Sequence, residues 1–129
     1  MDVVADASVF LSVALREPAR EWVIERTRGR DIVSPDVLYY EIGNALIALK
    51  KRGMLDGSKV SPAFEEAQKI AVYLVPFGIH DALKIALRYN IYAYDAYYLQ
   101  CAIERRLPLI TLDEGMRDVA EKLKITLVE

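Results

Sequence analysis

Two kinds of segment take turns along this chain. Short runs that are apolar almost throughout occur at Val3-Val4-Ala5, Asp31-Ile32-Val33, Leu74-Val75-Pro76-Phe77, Leu109-Ile110-Thr111-Leu112 and from Ile125 to Val128. Their length predicts strands, and Pro76 suits a sheet edge. Between them, apolar residues return every three or four positions. That spacing predicts helices over about 8–15, 18–28, 37–52, 61–73, 81–89, 93–105 and 114–122. The longest carries Leu38, Ile42, Ala45, Leu46 and Leu49 on one stripe and ends at Gly53. Ser8 is placed to cap the first helix, and Pro18 suits the first turn of the second.

Strands alternating with helices or helix pairs predict an α/β domain, a parallel sheet covered on both faces. Ligands bind such sheets outside the carboxyl ends of the strands. Two runs stop there at an aspartate: Val3-Val4-Ala5 at Asp6, and Leu109 to Leu112 at Asp113.

The length of 129 residues and a hydrophobic fraction of 53% fit one domain, 1–129, with a sizeable core. No apolar run approaches the roughly 18 residues of a membrane span, and the first residues lack a signal-peptide pattern, so a cytoplasmic protein is expected. The net charge of −2 excludes nucleic-acid binding through bulk charge alone. Cys101, the single cysteine, lies in an apolar pattern and reads as a small buried hydrophobe. With one cysteine and one histidine, His80, the chain lacks a zinc set.

The remaining chemistry is acidic. Asp6 and Asp113 can each cap the following helix or face the crevice as metal ligands. Glu41 borders the buried stripe of its helix, as a solvated flank or as a cleft acid, with Asn44 one turn on. Asp95 stands near a helix start, where the dipole favours an acid. It is also set among Tyr92, Tyr94, Ala96, Tyr97, Tyr98 and Leu99, with no basic residue within five positions. Carboxylates converging on one pocket repel, and a divalent cation resolves the repulsion; magnesium prefers such oxygen ligands. Ser8 and Thr111 stand two residues from Asp6 and Asp113, and either hydroxyl could serve the same site.

On the segments VVADASVFLSVALREP, SPDVLYYEIGNAL and YAYDAYYLQCAIERRLPLITLDEGM, the chain resembles the PIN domain family, and within it the toxin subunits of VapBC-type toxin–antitoxin modules. The resemblance spans essentially all of the chain. It implies a three-layer fold, a parallel five-stranded sheet with helices on both faces. It places the family's catalytic and metal-binding acids on Asp6, Glu41, Asp95 and Asp113, its small hydroxyl on Ser8 and its threonine on Thr111. A further family acid could fall on Glu114 or Asp118. The implied activity is a Mg2+- or Mn2+-dependent endoribonuclease that cuts RNA, with a VapB-like antitoxin as partner.

Substrate grip would then be local. Basic residues cluster at Arg16, Arg20, Arg26, Arg28 and Arg30, at Lys50-Lys51-Arg52, and at Arg105-Arg106, as solvated faces or as phosphate contacts. Tyrosines 39, 40, 94, 97 and 98 suit core or dimer packing, with base stacking as the alternative. The apolar content of so short a chain favours a homodimer. Two other readings compete: a receiver-type signalling domain, which would carry paired acids after its first strand and a late lysine, and a catalytically inactive PIN-like binding module.

Overall fold

A computed structural model describes residues 1–129. The first strand, β1 (Asp2–Ala5), runs into α1 (Ala7–Ala14) and α2 (Arg20–Thr27). Strand β2 (Asp31–Pro35) follows, then α3 (Leu38–Lys51), a single 3-10 turn at Gly57–Lys59 and α4 (Val60–Gln68). Strand β3 (Tyr73–Val75) precedes α5 (Ile79–Tyr89) and α6 (Ala93–Arg105); β4 (Leu109–Ile110) leads to α7 (Glu114–Lys122). The four strands are all parallel, in the order β3-β2-β1-β4.

The sheet therefore has four strands and not the five expected. The segment 125–128 reaches β4 through one parallel bridge, Leu109 to Leu127. Its two hydrogen bonds are Leu109 N to Thr126 O at 2.8 Å and Val128 N to Leu109 O at 3.0 Å. β4 is only two residues long, so a ladder alongside it has nothing further to pair with.

Strand order fixes where the helices lie. From β1 to β2 to β3 the chain steps one way across the sheet; from β3 to β4 it returns past β1 to the other side. Right-handed crossovers then put α1 to α4 on one face and α5 and α6 on the other. The packing agrees: α1 meets α2, α3 and α4, whereas α6 meets α5, α7, β1 and β2. The reversal of direction falls between β1 and β4, and a crevice opens at their carboxyl ends.

The core is continuous across both layers. Val3, Val4 and Ala5 have no exposed surface, as expected of a strand covered on both faces. Leu38, Ile42 and Leu46 bury the stripe of α3, and Tyr98 and Phe10 are the largest fully buried side chains. Gly53 closes α3 with φ +72°, donating to Lys50 O at 3.0 Å. Pro76 lies just past β3, on the sheet edge. No helix is long and apolar enough to cross a membrane.

Candidate active site

Register brings the first two acids together. Ala5 pairs with Ile110, so Asp6 and Thr111 leave the sheet side by side. Thr111 Oγ1 donates to Asp6 Oδ2 at 2.6 Å and accepts from the Asp113 amide at 3.1 Å. Ser8 Oγ donates to Asp6 Oδ1 at 2.6 Å and accepts from the Leu112 amide at 3.1 Å. One carboxylate thus ties the two strand ends together through both of its oxygens.

The capping role also holds. Asp6 is the N-cap of α1, accepting from Val9 N at 3.4 Å, and Asp113 Oδ1 caps α7, accepting from Met116 N at 2.9 Å. Capping and clustering coexist because a carboxylate has about four acceptor sites. Ser8, expected as a cap, is instead the second residue of α1 and holds Asp6.

Glu41 enters from the first turn of α3 and Asp95 from the first turn of α6, both half-buried. With the buried Asp6 and the exposed Asp113 they line one cleft of about 750 Å³, which Asn44 and Arg52 also border. No three acidic, histidine or cysteine side chains form a ready-made cage for a bare ion. None of the four acids takes part in the chain's five ion pairs.

Uncompensated burial shows in the proton affinities of Asp6, Glu41 and Asp95. Burial pushes Asp6 up to about 6, against the hydrogen bonds from Ser8, Thr111 and Val9, and Asp113 adds repulsion. Burial pushes Glu41 up to about 7; Tyr98 opposes this, and Asp6, Asp95 and Asp113 add to it. Burial and then Asp113 raise Asp95 to about 6. Tyr98 faces Glu41, yet the geometry falls short of a full hydrogen bond, so its buried hydroxyl has no partner.

This donor set suits one kind of cation. All four groups offer hard carboxylate oxygen, and magnesium or manganese takes few direct carboxylates while keeping several waters. A half-open cleft of separated acids matches that demand. Softer ligands are elsewhere: His80 is exposed on α5, and Cys101 is core, its thiol pushed up to about 11 by burial.

Glu114 and Asp118 do not line the cleft; Asp118 faces a separate surface hollow with Glu121 and Lys122. Of the tyrosines, Tyr94 lines the cleft, Tyr39 packs edge-on against Phe64, Tyr97 packs against Phe77 and Tyr94, and Tyr40 is exposed. Tyr98, read as packing or base stacking, instead faces Glu41 from the core, and Tyr92 was not among the tyrosines offered for stacking. Tyr98 follows Asp95 by one helical turn, a spacing that could have marked it. Tyr92, on the cleft wall, is 85% exposed.

Comparison with known proteins agrees with this architecture. The PIN domain family model matches residues 3–122. Ribonuclease VapC3 from Pyrobaculum aerophilum is 30% identical over 128 residues, covering 95% of each chain. Three crystal structures share the fold. PAE2754 from Pyrobaculum aerophilum has a TM-score of 0.66 at 24% identity, over 92% of this chain and 79% of that one. VapBC2 from Rickettsia felis, bound to a DNA fragment from its promoter, has a TM-score of 0.67 at 9% identity, over 98% and 97%. FitAcB from Neisseria gonorrhoeae has a TM-score of 0.64 at 19% identity, over 98% and 96%. The family match runs from β1 through α7 and takes in all four cleft acids: the chain belongs to the PIN domain family.

Proposed function

We propose that this chain is a divalent-metal-dependent endoribonuclease, the VapC-like toxin of a toxin–antitoxin pair acting in the cytoplasm. One observation carries the reading: four carboxylates from β1, α3, α6 and the end of β4 share a cleft and have no cationic partner. The likeness to Ribonuclease VapC3 along nearly the whole chain supports RNA as substrate. A VapB-like antitoxin is the proposed partner. A homodimer is proposed as well, because Tyr73, Leu74, Leu83 and Leu87 leave large apolar side chains in water.

Asp6, Asp95 and Asp113 would hold Mg2+ or Mn2+, with Glu41 beside them. When bound, such an ion supplies Lewis acidity and neutralises charge at the scissile phosphate. Asp6 is the rigid member, fixed by Ser8 and Thr111. Asp113 keeps an oxygen free of its cap bond and stands at the exposed mouth. Glu41, on the same cleft wall, would position the attacking water and accept its proton. The water oxygen bonds to phosphorus as the bond to the leaving ribose oxygen breaks, and that oxygen takes up the proton.

The test is cleavage of a pentanucleotide-scanning RNA library by the wild type and by Asp95→Asn. Cutting is expected with Mg2+ or Mn2+, and not in EDTA or with the variant, which should still melt cooperatively. Full cleavage by Asp95→Asn or in EDTA overturns the assignment. An inert wild type in both ions would point to the inactive binding module.

A further inference from the structure

The acid cleft is lined by 13 residues, and Arg52 is the only basic one. It closes α3 as C-cap, where a cation suits the helix dipole. The dipole does not explain why, of the three basic residues that end α3, Arg52 alone lines the cleft. Lys50 lies instead over Gly57 of the 3-10 turn, and Lys51 is not on the cleft wall. Nor does Arg52 neutralise the acids, since it forms none of the chain's ion pairs. It stands eleven residues beyond Glu41 on the same helix, about 16 Å along the axis. That is past the reach of its side chain, so Arg52 is a free guanidinium at the far end of the cleft.

Tyr92 lies on the same cleft just before α6, three residues ahead of Asp95. It is 85% exposed and belongs to none of the aromatic pairs, which join Tyr39 to Phe64, Phe77 to Tyr97 and Tyr94 to Tyr97. A free aromatic face and a free planar cation are the two elements of single-strand recognition: bases stack on the ring and the guanidinium takes a phosphate. The space fits as well. A cleft of about 750 Å³ exceeds the needs of a hydrated ion and admits nucleotides beside it. With a net charge of −2, the chain has no general attraction for RNA, so grip must come from such local contacts.

We propose that Arg52 and Tyr92 form a substrate-holding subsite for single-stranded RNA, with Arg52 on a phosphate away from the scissile one and a base stacked on Tyr92. The inference rests on the nuclease reading for its substrate class, but its test reads binding, not cutting.

Fluorescence anisotropy of a labelled twelve-nucleotide single strand is measured on Asp95→Asn protein in Mg2+, alone and combined with Arg52→Ala, Tyr92→Ala or Tyr92→Phe. Arg52→Ala should weaken binding about tenfold and lower the slope of log K against log salt by about 1. Tyr92→Ala should weaken it about tenfold with the slope unchanged, and Tyr92→Phe should bind as the parent does. The same sequence as a duplex should bind more weakly than the single strand. Both positions are exposed, and unchanged melting curves show that the variants fold. Parent-like binding by Arg52→Ala and Tyr92→Ala overturns the proposal, as does equal binding of duplex and single strand. Failure of the nuclease reading looks different: the wild type binds the single strand through these residues and cuts nothing.

Discussion

Thr111 and Asp6 are 105 positions apart in sequence, and their side chains meet at 2.6 Å, hydroxyl to carboxylate. The contact is buried, and the same hydroxyl accepts the Asp113 amide, so Thr111 sets the spacing of two cleft acids at once. Thr111→Val keeps the shape and removes both bonds. A hydrogen bond to a charged group contributes roughly 1.5–3 kcal/mol, so a loss of about 2 kcal/mol is expected at pH 7.5. Cleavage should fall with it, and Thr111→Ser should recover both. Denaturant titration and initial rates check the pair; an unchanged Thr111→Val would make the hydroxyl mere packing.

The cleft makes stability depend on pH in a definite direction. Folding raises Asp6 from 3.8 to about 6, Glu41 from 4.5 to about 7 and Asp95 from 3.8 to about 6. Each group binds its proton more tightly folded than unfolded. The stabilisation this gives is complete below about pH 4 and is lost as pH rises through about 6 for the two aspartates and about 7 for Glu41. For the buried Asp6 alone the shift corresponds to about 3 kcal/mol. In EDTA, the melting temperature should therefore drop between pH 5 and pH 7.5, and drop less for Asp6→Asn. Millimolar Mn2+ should raise it more at pH 7.5 than at pH 5, because deprotonated acids bind the ion. Melting curves that climb across this window without metal would contradict the clustering.

Tyr98 has no exposed surface and a hydroxyl without a partner, facing a carboxyl that is itself raised by burial. Burial is also the leading cause that pushes the phenol upward, so it stays a neutral donor. An unsatisfied buried donor costs roughly 1–3 kcal/mol, and Tyr98→Phe should raise the stability of the metal-free chain by about 1 kcal/mol. With metal present, a hydroxyl that orients Glu41 is worth about tenfold in activity or metal affinity. Calorimetric titration with Mn2+ and single-turnover cleavage test this. A variant more stable and equally active would show that Tyr98 only fills space.

The parallel α/β layout was legible because the strands are covered on both faces: Val3-Val4-Ala5 and Leu109-Ile110 are unbroken apolar runs that stop at polar loops. The four acids were legible by position, at strand ends and first helical turns. Individual partners were not. Whether Ser8 caps a helix or holds Asp6 depends on a one-residue shift in where α1 begins, which periodicity does not resolve. The fifth strand misled for a similar reason. Ile125 to Val128 has strand composition, but pairing depends on the length of β4, which no local pattern in the tail encodes. Arg52 looked like one of three equivalent cations; only the rotation of α3 about its axis separates it from Lys50 and Lys51.

Gly115 separates stability from activity most cleanly. It is the second residue of α7, and a Cβ built there would stand 3.2 Å from Asp113 Oδ1, tighter than ordinary contact. That oxygen already caps the helix through Met116 N at 2.9 Å, so it has little freedom to retreat. Gly115→Ala should then displace the Asp113 carboxylate by a few tenths of an ångström while improving helix propensity by up to about 1 kcal/mol. Stability is expected to hold or rise, and kcat to fall several-fold with KM little changed, because the displaced group would belong to the proposed metal core and not to the substrate grip. Gly43→Ala in α3 is the control: a Cβ there meets nothing within 4 Å, so it should gain stability and keep its rate. Parallel melts and Michaelis–Menten curves for the two variants decide the matter. If Gly115→Ala cuts RNA as fast as Gly43→Ala, the position of Asp113 does not limit the reaction.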